Sequence, residues 1–154
     1  MVSAFDGSAV IRSVLVVCVG NICRSPVGAR LLQSHWPDLQ ITSAGLGALV
    51  GHPADEVASE VAALRGVSLA GHVARQFSTS LGSTQDLILT MEPGHRREIG
   101  RMAPQLLGRT LLFDRWTGAQ GIADPYQKSK EQHEIIFNLI AEAADAWAKR
   151  LGTL

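Results

Sequence analysis

The chain has 154 residues, 46% of them hydrophobic, with 14 Lys plus Arg set against 14 Asp plus Glu. That length suits one domain with a core of its own, and a formal net charge of +0 excludes a global basic field for nucleic acid or an anionic membrane. Any anion recognition must therefore be local, and two cysteines, Cys18 and Cys23, are too few for a disulfide scaffold. Residues 1–12 read as a short extension of a domain covering 1–154. Met1 to Gly7 lack the basic and apolar regions of a signal peptide, and no apolar run reaches membrane-spanning length. A cytoplasmic protein without membrane insertion is expected.

In chain order, the apolar run 14–17 predicts a first strand, and 26–36 predicts a helix that Pro37-Asp38 ends. A second strand is expected over 39–42, and a helix over 55–65 stopped by Gly66. A third strand follows at 86–90, then a helix over 92–102 with Pro93 in its first turn, where proline is tolerated. The fourth strand is expected at 110–113. The last helix is marked by Ile135, Ile136, Leu139, Ile140, Ala143, Trp147 and Leu151 at helical spacing, read as one core-facing stripe. Strands alternating with helices predict an α/β fold on a parallel sheet.

The most informative stretch lies between the first strand and the first helix: Cys18-Val19-Gly20-Asn21-Ile22-Cys23-Arg24-Ser25-Pro26. A phosphomonoester dianion needs converging backbone N–H groups, a fixed bidentate cation and a nucleophile aimed at phosphorus. A tight loop entering a helix N-terminus supplies all three. Gly20 and Asn21 tolerate positive φ, which turns consecutive amides inward, and Arg24 offers a planar fork that a lysine lacks. Helix end, amides and guanidinium favour thiolate over thiol, so Cys18 is the expected nucleophile, with the Ser25 hydroxyl placed to donate to its sulfur. In an open α/β sheet a ligand sits beyond the carboxyl ends of the strands, where this loop falls. No other Cys or His cluster has zinc spacing, so no metal or cofactor is expected.

With Ser43-Ala44-Gly45, His72-Val73-Ala74-Arg75-Gln76, the 86–91 segment and Asp124-Pro125-Tyr126, the sequence resembles the low-molecular-weight protein tyrosine phosphatases from about Ser13 to Leu151. The resemblance implies a single α/β domain whose four-stranded parallel sheet, matching the four strands above, is flanked by helices on both faces, with a phosphate loop after strand 1. It implies a catalytic set of Cys18, Arg24 and Asp124, the last as general acid and then general base. Val19, Gly20, Asn21, Ile22, Cys23 and Ser25 would bind the phosphate, and Leu49 and Tyr126 would wall the substrate ring. Asn21, Ser25, Ser43 and His72 would form the network that holds the loop, while His35, His52, His95 and His133 receive no role.

The 43–51 segment lacks the Trp that many members place beside the pocket, which implies an aliphatic wall. Together with Leu111-Leu112-Phe113 and Asp124-Pro125-Tyr126 it resembles the bacterial branch acting on tyrosine autokinases of capsule and exopolysaccharide export, which implies a phosphotyrosine protein as partner. A phosphoarginine phosphatase of the same fold commonly has threonine where Ile22 stands. A thioredoxin-coupled arsenate reductase needs a distal cysteine pair, and this chain has no cysteine after Cys23. A binding module would lack Cys18, Arg24 or Asp124.

Overall fold

A computed structural model describes residues 2–3 and 10–151 of the chain. Two short strands, β1 (Val2–Ser3) and β2 (Val10–Ile11), pair antiparallel ahead of the main sheet. The main sheet comprises β3 (Ser13–Cys18), β4 (Gln40–Gly45), β5 (Leu87–Thr90) and β6 (Thr110–Leu112), all parallel in the order β4-β3-β5-β6.

Every residue of β3 is buried, as a central parallel strand covered on both faces requires. Its side chains alternate between two cores. Val14, Val16 and Cys18 pack with α1 (Arg24–His35), α2 (Glu56–Leu64) and α5 (Lys130–Leu151), through residues such as Leu32, Val61 and Trp147. Leu15 and Val17 face the other way, toward Phe77, Ile99 of α4 (Pro93–Met102) and Leu106 of the 3₁₀ turn Pro104–Arg109. Cys18 thus ends the strand at which the connections change direction, the place where such sheets bind ligands.

The expected single-domain α/β architecture with four parallel strands is the one observed, with local differences. The first helix begins at Arg24, two residues before the expected Pro26, so its open N-terminus reaches into the loop motif. Pro26 fits there because first-turn N–H groups have no intrahelical acceptor to lose. A short helix, α3 (Thr79–Ser83), and the 3₁₀ turn were not expected, since neither is long enough to establish a period.

The stripe read on α5 is too wide. Ile136, Ile140, Ala143 and Trp147 are buried with His133, Phe137 and Ala144, whereas Ile135 is 50% and Leu139 40% exposed. At about 100° per residue, positions 135 and 139 turn away from the seam through 136, 140 and 147. The side chain of Leu151 lies outside the described residues.

Gly45 ends β4 directly opposite Cys18. A Cβ there would stand 2.2 Å from the Val19 carbonyl oxygen and 3.0 Å from its carbon, both backbone atoms that cannot rotate away. Gly45→Ala therefore pushes the loop after β3 out of place, and a destabilisation of about 1–3 kcal/mol, the usual cost of overpacking, is expected in urea unfolding. An unchanged midpoint would mean that the loop yields freely.

Candidate active site

The loop from Cys18 to Ser25 is shaped by Asn21, which holds φ at 58° in the left-handed region. Gly20 is not among the positive-φ residues, so the expectation that both would adopt that conformation holds for Asn21 alone. Four bonds fix Asn21. Its Nδ2 donates to Ser25 Oγ at 2.8 Å and Ser43 Oγ at 2.9 Å, its Oδ1 accepts from Arg75 N at 2.9 Å, and its carbonyl meets His72 Nε2 at 2.6 Å. The four residues of the expected network are brought together. Ser25 Oγ also lies 2.9 Å from Cys18 Sγ, and α1 starts without a side-chain cap or an acidic residue in its first turn, so its amides and positive end face the loop uncontested.

Arg24 is only 1% exposed. Its Nη1 donates to Glu92 Oε2 and to the Ile122 carbonyl, each at 2.6 Å, so one edge of the guanidinium is spoken for. Nε and Nη2 remain as the parallel pair that suits an oxyanion. Nη2 lies 3.8 Å from Asp124 Oδ2, and Asp124 Oδ1 accepts from Tyr126 N at 3.0 Å, a local turn that leaves the other oxygen toward the arginine.

A cleft of about 170 Å³ opens here, lined by Cys18, Val19, Gly20, Ile22, Cys23, Arg24, Leu49, Asp124 and Tyr126, with Gly47 of the segment read as its wall. Asn21 and Ser25 lie buried behind its floor, supported by Ser43 and His72. A larger cavity of about 510 Å³, between α2 and the 66–72 segment, contains none of Cys18, Arg24 and Asp124 and touches the site only through His72.

Residues 13–153 match the model of the low molecular weight phosphotyrosine protein phosphatase family. The chain belongs to that family. The Escherichia coli K12 low molecular weight protein-tyrosine-phosphatase Wzb is 49% identical over 140 residues, spanning 91% of this chain and 95% of that protein. The crystal structure of the Erwinia amylovora tyrosine phosphatase AmsI superposes with a TM-score of 0.92 at 46% identity, covering 95% of this chain and 97% of that one. The YwlE arginine phosphatase of Geobacillus stearothermophilus shares the fold at a TM-score of 0.83 but only 29% identity, over 90% of this chain and 91% of that one. This is a cysteine-dependent protein-tyrosine-phosphatase of low molecular weight.

Electrostatics mark Cys23 and His72 of the phosphatase. Burial first, then the charges of Asp55, Asp124 and Cys18, push the Cys23 thiol well above its ordinary range, outweighing Arg24. Cys23 therefore stays protonated and packs with Ile22, Ala58 and Ala74. Burial chiefly, with the Arg30 charge, lowers the His72 pKa against the opposing bond to Asn21. A neutral His72 with its proton on Nε2 donates to the Asn21 carbonyl.

Sequence reasoning missed Glu92 and Ile122, which hold Arg24 from 68 and 98 residues away. It also missed Asp114, whose buried Oδ2 accepts from Gln120 N at 3.1 Å and Gly121 N at 2.9 Å and so fastens the segment leading to Asp124. The only sequence signal for these is a set of single residues with no local pattern.

Asn21→Gly keeps the left-handed backbone but loses the side chain's bonds, whereas Asn21→Ala loses both. Denaturant unfolding should show Asn21→Gly about 1–3 kcal/mol less stable than the native chain, the cost of stranding buried polar partners. Asn21→Ala should lie about 1 kcal/mol lower again. Equal midpoints for the two variants would show that the backbone conformation carries no cost.

Proposed function

We propose that this chain hydrolyses protein phosphotyrosine through a phosphocysteine intermediate, and that its natural substrate is the phosphorylated tail of a bacterial tyrosine autokinase serving capsule or exopolysaccharide production. The observation that carries the chemistry is the meeting of Cys18 Sγ, the unoccupied edge of Arg24 and the Asp124 carboxylate around one cleft. The autokinase and polysaccharide role rests on the likeness to the bacterial branch of the family, and this reading places the protein in the cytoplasm. Among the described residues no helix is long and apolar enough to cross a membrane.

In the first step Cys18 Sγ attacks phosphorus, the S–P bond forms as the P–O bond to the tyrosine breaks, and Asp124 hands its proton to the departing oxygen. Arg24 and the loop amides hold the equatorial oxygens throughout, where charge is greatest. In the second step Asp124 takes a proton from water as its oxygen attacks phosphorus. Sγ then leaves, stabilised by the Ser25 hydroxyl at 2.9 Å.

The cleft mouth suits an aromatic ring. Val19, Leu49 and Tyr126 are 41%, 37% and 40% exposed, an apolar rim through which a tyrosine side chain reaches the loop and a shorter phosphoserine does not. Ile22 lines the floor and leaves no hydroxyl there to hydrogen-bond a phosphoarginine.

Cys18→Ser should abolish turnover of an aryl phosphate while retaining binding of inorganic phosphate in calorimetry. Persistent multiple turnover by that variant would remove Cys18 from the reaction. Asp124→Asn should lower kcat by roughly 10²–10⁴-fold for phosphotyrosine, the range of general acid catalysis. The loss should shrink for a phosphate ester of an acidic phenol, which needs no proton to depart, and a uniform loss across leaving groups would reduce Asp124 to a shaping role. Comparable kcat/KM on phosphoarginine or phosphoserine peptides would defeat the substrate assignment.

A further inference from the structure

One buried histidine beside the cleft has no part in the chemistry above. His95 lies in the first turn of α4 with 7% of its surface exposed, and its Nε2 stands 3.3 Å from Glu92 Oε2. That same oxygen receives Arg24 Nη1 at 2.6 Å. One carboxylate oxygen thus joins a buried ring to the phosphate-binding guanidinium, and the other ring nitrogen, Nδ1, is buried without a hydrogen-bond partner.

The arrangement has a physical logic. The Glu92 side chain is 41% exposed, and a half-exposed glutamate has rotamer freedom and water competing for its oxygens, so its grip on Arg24 is weak by itself. A ring fixed by burial stands at a fixed point, 3.3 Å from that oxygen. It restricts the carboxylate to the position that takes Nη1, and with Nη1 also on the Ile122 carbonyl the guanidinium plane is set. Bidentate capture of a phosphoryl group depends on that plane.

We propose that His95 is a positioning residue for phosphate capture: as a neutral imidazole with its proton on Nε2 it holds Glu92 against Arg24, and so aims Nε and Nη2 of Arg24 at the transferring group. The proposal rests on the phosphatase reading of the cleft. Burial, and the Arg24 charge, lower the His95 pKa against Glu92 and Asp124, in keeping with a neutral ring. The unpartnered nitrogen is then the lone-pair nitrogen, a smaller cost than a stranded N–H.

The test compares His95→Gln, which keeps an N–H donor, with His95→Met, similar in size without one. Calorimetric titration with inorganic phosphate and steady-state kinetics on an aryl phosphate supply the readouts. His95→Met should raise the phosphate Kd and the KM by roughly tenfold, the scale of one hydrogen bond to a charged group. His95→Gln should stay within about threefold of the native protein. On a Glu92→Gln background the two variants should be indistinguishable, because the route to Arg24 is already cut.

Unchanged phosphate affinity in His95→Met, or an equal loss on the Glu92→Gln background, would overturn the proposal. Ring ¹⁵N shifts of the native protein test it without any variant, since a proton on Nδ1 instead of Nε2 is incompatible with it. Phosphate binding and the tautomer are read without turnover. A native protein that binds phosphate normally yet fails to hydrolyse aryl phosphates would refute the proposed function and leave this test standing.

Discussion

A loop that turns consecutive amides toward one point must place some residue at positive φ, and here that residue is Asn21 and not a glycine. Glycine would take the conformation at lower cost, but it would bring no side chain. Asn21 spends its amide on Ser25 of α1, Ser43 of β4 and the Arg75 backbone, so three parts of the chain are tied to the one strained residue. The bare backbone of Gly45 allows Val19 to lie close against β4. The loop is therefore held in one shape by its own bonds, the kind of preorganisation that spares a reaction the cost of reorganisation.

Arg24 presents the opposite problem, a charge almost wholly removed from water. Burying a guanidinium is costly unless its hydrogens are matched, and Nη1 is matched twice, by a carboxylate from the start of α4 and a carbonyl from the segment before α5. The second bond does more than satisfy a donor. Ile122 also donates its own N–H to the Met91 carbonyl, and Asp114 clamps the two residues before it. The backbone that carries Asp124 is thereby fastened to Arg24, so the carboxylate and the guanidinium share one frame although 100 residues separate them in sequence.

What was legible in the sequence was local or periodic. The Cys18 to Ser25 loop carries its own chemistry, and apolar runs placed β3 and β5 because strands buried on both faces leave an uninterrupted hydrophobic signature, whereas the partly exposed β4 runs over 40–45 where 39–42 was expected. The seam of α5 was only half legible. A helical stripe read from apolar residues takes in Ile135 and Leu139, and only the neighbouring helices decide which edge of the stripe is covered. Glu92, Asp114 and Ile122 were illegible for a different reason. Glu92 and Ile122 act through contacts to Arg24 from 68 and 98 residues away, Asp114 through two backbone amides of a loop, and a lone glutamate, aspartate or isoleucine has no spacing to betray it. His95 was given no role because single histidines are usually structural; its place one helical turn from Glu92 is local, and it gains a consequence only when packing brings Glu92 to Arg24.

The two cysteines show how far environment, and not residue type, decides chemistry. Both lie in the same loop and both are buried. Cys18 ends a strand, with a hydroxyl at 2.9 Å and the open end of α1 before it. Cys23 stands at the start of that helix among Ile22, Ala58 and Ala74, with Asp55 and Asp124 near enough to oppose a negative sulfur. Five positions along the chain, the second thiol sits where burial and acidic neighbours penalise the anion. The cleft is thus lined by two sulfurs in unlike settings, and the acidic groups that keep Cys23 protonated include Asp124, which shares that lining.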